Sequence, residues 1–274
     1  MKKKVGKFFV YIFAIIWGLI TIFPLFITFL SSVKDNVGIN LGMFKLPEKW
    51  LWSNYADAFT RANMGKAVFN SLFLSVTSTV VVILIALLAS YVLSRKNFKF
   101  KKTISTMFIV GVMVPVHCTI IPISSLATKL HGKNTYWMLI LIYVAFNLAQ
   151  AIFLFTGYLN SVDKELDEAA IIDGCNDIQV LFKILLPVSV PIISTEAILS
   201  FVYCYGELLF SMSLLSDPSK YTISRAMMSF SGGQNQMLGP IFACIIIGVL
   251  PMVLFYIILH EKVQDGMMTG AVKG

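Results

Sequence analysis

Charge is scarce in this 274-residue chain: Asp, Glu, Lys and Arg together make up 13% of it, and Asp and Glu number only 14. A soluble domain carries about twice that charged share, so a surface facing water all round is excluded. Cysteine is sparse too. Cys118, Cys175, Cys204 and Cys244 form no pair with metal-ligand or redox spacing, which argues against a zinc or thiol redox centre and leaves them as small apolar fillers. No G-x-x-x-x-G-K-(S/T) phosphate loop occurs, so the chain does not hydrolyse ATP itself and is not read as an enzyme. The metal-binding or general-base cluster of Asp or His that a membrane-embedded transferase needs is missing. So is the basic–aromatic patch of a nucleic-acid binder. Without an internal repeat, and with few ionisable groups inside the apolar runs, an ion-coupled secondary transporter is the weaker reading.

What is abundant is apolar sequence, 57% of the chain, arranged in runs long enough to cross a hydrocarbon core of about 30 Å. The fold class expected is an all-α polytopic membrane protein with six transmembrane helices. The spans fall near Phe8–Leu30, Val68–Leu93, Thr103–Ala127, Asn134–Tyr158, Val188–Leu215 and Leu238–His260. Pro24 is a candidate kink in the first span, and Pro115 and Pro122 interrupt the third. The first apolar run is too long for a signal-peptide h-region and no A-x-A site follows it, so it is kept as a span.

Lys and Arg set the direction. The N-terminus carries four, the loop RKNFKFKK five, the loop around Asp167 two and the C-terminal tail two, making 13 on one face against nine on the other. The first face is therefore read as cytoplasmic, with both termini inside. The net charge of +8 follows from this bias rather than from a nucleic-acid partner.

One cytoplasmic loop departs from the bias. The segment at 161–187 holds Asp163, Glu165, Asp167, Glu168, Asp173 and Asp177 against Lys164 and Lys183. Anionic lipid attracts basic faces, so an acidic loop does not belong on the bilayer surface, and docking onto a basic partner explains it better. Locally it reads as two short helices. The first starts with acids that suit the helix dipole and ends at Gly174, a residue fit for a left-handed C′ position. Asn176 or Asp177 caps the second, in which Ile178, Leu181, Phe182 and Leu185 keep i, i+3, i+4, i+7 spacing. Pro187 marks the entry to span five. Helices this short are marginal alone in water and must pack on something. Ala169 and Ala170 offer a flat spot for close approach, with Ile171 and Ile172 as apolar contacts.

At these residues the chain resembles the permease subunits of ABC importers, whose cytoplasmic loop reads E-A-A, three residues, G, nine residues, I, one residue, L-P. Glu168-Ala169-Ala170, Gly174, Ile184 and Leu186-Pro187 match all seven fixed positions. FNSLFLSVTSTVVVILIALLASYVLSR, YGELLFSMSLLSDPSKYTI and the tail GMMTGAVKG resemble segments of the carbohydrate-uptake subgroup, similar to the smaller maltose permease subunit. Tyr205-Gly206 stands where that subgroup has W-N, and Ile223-Ser224-Arg225 where it has L-P-V. The likeness covers about Gly65 to Gly274.

The resemblance implies a type I ABC importer transmembrane domain in a bacterial or archaeal cytoplasmic membrane, importing a sugar, an oligosaccharide or disaccharide, by alternating access. A non-sugar solute such as a glycerol phosphate ester is the alternative. It implies three regions: 1–64 with the N-terminal tail, first span and extracytoplasmic loop; 65–260 as transport core, with the coupling loop 161–187; and 261–274 as a cytoplasmic tail. Glu168, Ala169, Ala170, Ile171, Ile172, Gly174, Ile184, Leu186 and Pro187 would couple to a separate ATPase dimer that carries the ATP and Mg; this chain binds no cofactor. The other implied partners are a second homologous permease, an extracytoplasmic solute-binding protein and membrane lipid. Gly232, Gly233, Gln234, Asn235 and Gln236 would form a loop probing the binding protein's sugar site. Glu207, Glu196, Phe201 and Leu208, with Leu209, are candidates for the translocation path or its gate. Of the other polar groups inside spans, His117, Asn147 and Gln150, His117 is read as a satisfied core group.

Overall fold

The computed structural model describes residues 2–232 and 236–271, with residues 2–6 and 261–271 followed along the backbone only. Every regular element among the described residues is helical: α1 (Lys2–Ser32), α2 (Asn36–Leu41), α3 (Ser53–Thr60), α4 (Met64–Arg95), α5 (Lys101–Val112), α6 (Ile120–Lys129), α7 (Tyr136–Ser161), α8 (Glu165–Ile172), α9 (Asp177–Gln179), α10 (Leu186–Val188), α11 (Val190–Gly206), α12 (Leu209–Leu214), α13 (Ile223–Met227) and α14 (Leu238–Ala271). A π-helical segment, Val180–Leu185, joins α9 to α10.

Four of these contain stretches long and apolar enough to cross a membrane: Lys7–Ser32, Met64–Arg95, Tyr136–Ser161 and Leu238–His260. Two bent pairs bring the number to six if each counts as one span: Lys101–Val112 with Val116–Lys129, bent by 92°, and Asp177–Val188 with Val190–Gly206, bent by 79°. The expected third and fifth spans are therefore corrected from continuous rods to broken ones. In the third, Pro115 lacks an N–H and drives Val114 out of the helical region, so α5 stops at Val112 and a 3₁₀ turn, Val116–Thr119, restarts the chain. Pro122 does no damage, because it lies in the first turn of α6. In the fifth, the 79° bend lies at Ser189, where the short element Leu186–Val188 meets α11, and a further break follows where α11 ends at Gly206 and α12 begins at Leu209. Pro24 sits inside an α1 that runs unbroken.

The chain divides into two units: residues 1–68 with 223–250, and residues 69–222 with 251–274. In the first unit Asn54 is the organising residue. Its Nδ2 donates to the carbonyls of Ser32 and Lys34, each at 2.9 Å. Gly239 lies so close that a Cβ there would stand 2.5 Å from Asn54 Nδ2 and from the Lys34 carbonyl, so only glycine fits.

In the second unit α4 and α7 form the frame. Ser71, Ser75, Ser78, Ser90 and Ser94 of α4 are buried, small residues of the kind that let helices approach closely without a water-driven hydrophobic force. Ser90 donates across to the Ile152 carbonyl at 3.1 Å. One apolar cluster gathers Leu87, Ile152, Phe155, Leu159, Val180 and Leu185. A second gathers Leu74, Leu139, Tyr143, Phe210 and Leu214. The first of these roots the acidic hairpin.

Candidate functional site

The hairpin is α8, a turn, and the arm α9–π–α10. The turn is built as the sequence suggests. Gly174 takes φ +84°, the left-handed region that glycine enters at little cost. Around it Asp173 N donates to Ala169 O (3.0 Å) and Cys175 N to Ala170 O (2.9 Å), closing the end of α8. Asn176 then caps the second arm in a reciprocal box with Gln179, both bonds being 2.9 Å. The second arm is not a plain α-helix. Pro187 has no N–H for the i−4 carbonyl, and just before it Leu186 N reaches back five residues to Leu181 O, widening the coil. Ser189 breaks the chain before α11.

Burial divides the expected contact residues. Ala170 is 5% exposed and packs into the core cluster with Leu181 and Leu185, so it is corrected from a docking contact to a root of the hairpin. The outward face carries Glu168, Ala169, Ile171 and Ile172, the last 85% exposed. The apolar stripe of the second arm also splits: Leu181 and Leu185 turn inward, Ile178 and Phe182 are exposed. Ile184 and Leu186 are half-buried and Pro187 is exposed. The acids Glu165, Glu168 and Asp177 and five large apolar side chains, those of Leu166, Ile171, Ile172, Ile178 and Phe182, are thus exposed on two short arms whose other sides are fixed in the core.

The last turn of α4 grips both arms. Arg95 donates from Nη1 to Leu159 O (2.7 Å) and from Nη2 to Val162 O (3.0 Å), and its Nε is ion-paired with Asp167 Oδ2. The two side chains are 5% and 11% exposed. On the second arm Asp177 Oδ1 accepts from Lys96 Nζ (2.7 Å) and Tyr91 OH (3.0 Å), here at an exposed site. These bonds, from Lys96 first and Tyr91 second, hold the Asp177 carboxyl below its ordinary pKa. Tyr158 OH completes the attachment by donating to Val188 O at 2.8 Å.

The remaining sequence candidates do not join the hairpin. Glu207 occupies the break in span five and acts as a cap: Oε1 accepts from Phe210 N (2.6 Å), and Oε2 from Ser211 N (3.0 Å) and Tyr143 OH (2.9 Å). Glu196 is fully buried, accepting from Ser200 Oγ at 2.6 Å. Phe201 is also fully buried, stacked on Phe255 at 3.8 Å between centroids and on Tyr205 at 5.3 Å. As a single chain, it therefore gives Phe201 a packing place rather than an open gate. Leu208 and Leu209, with His117, Tyr203 and Glu207, line an open concavity of about 340 Å³. His117 is exposed there, which corrects its reading as a satisfied core group: the helix breaks next to Pro115 and leaves the ring outside. Asn147 is buried, donating to Tyr143 O at 2.7 Å, and Gln150 is half-buried. In the loop before α14, Gly232 and Gln236 are exposed, and Gln236 O accepts from Asn36 Nδ2 at 2.5 Å. Gly233, Gln234 and Asn235 lie outside the described residues.

Sequence reasoning counted Arg95 only toward orientation and missed its role. It also missed Asn134, whose φ of +59° lets Oδ1 receive the N–H groups of Ser216 (3.3 Å) and Asp217 (3.1 Å). Lys220 Nζ donates to Asn134 O (2.9 Å), and Asn70 Nδ2 to Ser219 O and Tyr221 O. The S-D-P-S-K-Y stretch is thus a knot that ties its own loop to the loop at Asn134 and to α4.

The family described as binding-protein-dependent transport system inner membrane component matches residues 82–267, a range that holds both Arg95 and the whole hairpin. The chain belongs to that family. The permease is 30% identical to the diacetylchitobiose uptake system permease protein of Streptomyces coelicolor over 261 residues, covering 94% of this chain and 86% of that one. It is 31% identical to the multiple sugar-binding transport system permease protein of Streptococcus mutans over the full length of both. In fold it resembles a chain from the crystal structure of a bacterial ABC transporter involved in the import of the acidic polysaccharide alginate. There the TM-score is 0.77 at 18% identity, covering 95% of this chain and 97% of that one. The permease therefore has the all-α, multi-pass architecture of an ABC importer's transmembrane subunit.

Proposed function

We propose that this permease is one half of the translocation pathway of an ATP-driven sugar importer, taking up an oligosaccharide or disaccharide handed over by a solute-binding protein. Relatives named for sugar uptake, matched along nearly the whole chain, support the substrate class. The observation that carries the mechanism is the outward face of the hairpin. Five large apolar side chains and Glu168 stand exposed on helices too short to hold their own shape, yet they are fastened from behind. Such a face fits a groove with basic and apolar lining on an ATPase subunit. Burying Ile172 alone would stabilise the contact by about 1.5–3 kcal/mol. A desolvated bond to Glu168 would add about 1.5–3 kcal/mol, and much less if wet.

In this reading the ATPase dimer binds ATP and Mg, and its closure carries the hairpin. The spans attached to the hairpin then rotate between inward- and outward-open states. The hairpin face and both termini are cytoplasmic in this reading, which the Lys and Arg distribution supports. A second, homologous permease supplies the other half of the path, and the concavity beside Glu207 and His117 forms part of this chain's wall. The exposed Gly232 and Gln236 ahead of α14 are offered to the binding protein. Reconstitution tests the reading: vesicles holding this permease, its second permease and the ATPase should accumulate sugar only when ATP and the binding protein are both supplied. Uptake by this chain alone, or driven by an ion gradient, would refute it.

A further inference from the structure

Arg95 is the last residue of α4, and its guanidinium is shared among three elements. Nη1 and Nη2 take the carbonyls of Leu159, which also accepts from Val162 N at 3.3 Å, and of Val162, the residue that closes the C-terminal end of α7. Nε faces Asp167, the residue immediately before Glu168 on α8. Asp167 Oδ1 and Arg95 Nε are both buried with no hydrogen-bond partner among the described residues, so the charge of Asp167 is compensated by its ion pair with Arg95 through Oδ2. A lysine could not make the same arrangement, because one ammonium lacks the planar fork that reaches three acceptors. The ties to the other arm, from Tyr91 OH of α4 and from Lys96 just beyond its end, both end on the Asp177 carboxylate, which is 54% exposed, so water and salt weaken them. Of the polar links from α4 to the hairpin, the buried one is therefore the stiff one, and it meets the hairpin one residue from its docking face.

We propose that Arg95 is the positioning residue that makes the end of α4, the end of α7 and the docking helix α8 turn as one piece, so that displacement of Glu168 and Ile172 reaches two spans at once. This rests on the docking reading given above. When the hairpin is pushed, the apolar root at Ala170 can slide, since packing is non-directional. The guanidinium resists sliding because two directional hydrogen bonds fix it to the end of α7 and the buried Asp167 charge has no water to replace it.

The test uses the whole transporter in vesicles and reads sugar moved per ATP hydrolysed, for Asp167→Asn, Arg95→Ala and Arg95→Lys. Asp167→Asn and Arg95→Ala should each lower that ratio about tenfold while ATP hydrolysis continues, and Arg95→Lys should fall between them and wild type. A purely structural role would reduce the amount of assembled transporter and leave the ratio unchanged. That result overturns the proposal, as do wild-type ratios in all three variants. Should Arg95→Ala fail to assemble, the isosteric Asp167→Asn decides; failure of all three makes the pair a folding requirement and counts against a transmitting role. Cross-linking from Ala169→Cys to the ATPase, in a chain with Arg95 and Asp167 intact, separates the two levels. If that cross-link forms and the variants stay coupled, only the role of Arg95 falls. If it does not form, the docking reading falls and takes this proposal with it.

Discussion

Gly174 stands at φ +84° with nothing within 4 Å of where a Cβ would lie. A side chain there meets no neighbour, so its cost is backbone strain alone, about 1–2 kcal/mol for an ordinary residue. Gly174→Val, with a β-branch as well, should leave the permease in the membrane but abolish or sharply reduce uptake, because the angle between the hairpin arms changes. Membrane level by immunoblot and uptake in the same cells check this; uptake at the wild-type rate would remove the turn from the mechanism. Glu207 is the contrasting residue. Its carboxylate receives three donors at the break between α11 and α12. Glu207→Ala strands the N–H groups of Phe210 and Ser211 and the hydroxyl of Tyr143, and should destabilise the permease by about 1–3 kcal/mol, seen as a lower unfolding temperature in detergent. Glu207→Gln, which keeps an acceptor oxygen, should cost less.

At the scale of elements, the two arms of the hairpin are held by different physics. Both pack into the same apolar cluster, but the polar link of the first is a buried ion pair, while that of the start of the second is a set of bonds to the exposed Asp177 carboxylate. The Asp177 carboxyl is held below its ordinary value, so its contribution is present above the usual carboxylate pKa and is lost as pH falls through the lowered one. Hydrogen-exchange protection of the second arm should therefore be constant through neutral pH and fall only below about pH 4, where Asp177→Asn shows the lower protection throughout. An arm whose protection changed near neutrality would point to a different anchor. The same contrast explains what the sequence disclosed. Gly174, the Asn176 cap and the existence of two short helices were legible, because turn and cap chemistry is local. That Ala170, Leu181 and Leu185 face inward while Ile172 and Phe182 face outward was not, since α8 and the second arm are apolar on both sides and only the long-range cluster with Phe155 and Leu159 decides between them. Arg95 was equally hidden: a basic residue at the end of a span satisfies the orientation rule whether or not it holds a buried acid. The broken third span was half legible, for Pro115 announced an interruption but not a bend of 92°.

At the scale of the molecule, spans and hairpin answer one physical requirement. Backbone polar groups inside a bilayer must be paired within helices, so motion is imposed on rigid rods from their ends, and the hairpin is attached where α4 and α7 end. The central claim is that the outward face of this hairpin seats on an ATPase subunit. Single cysteines at 169, 170 and 172, in a chain whose four native cysteines are replaced, measure it directly in the assembled transporter. Ala169→Cys and Ile172→Cys should cross-link efficiently to the ATPase, with yields that change between the nucleotide-free and ATP-bound states, while the inward Ala170→Cys should react poorly. Contradiction would come from Ala169→Cys and Ile172→Cys remaining uncross-linked and freely labelled by a water-soluble maleimide throughout active transport.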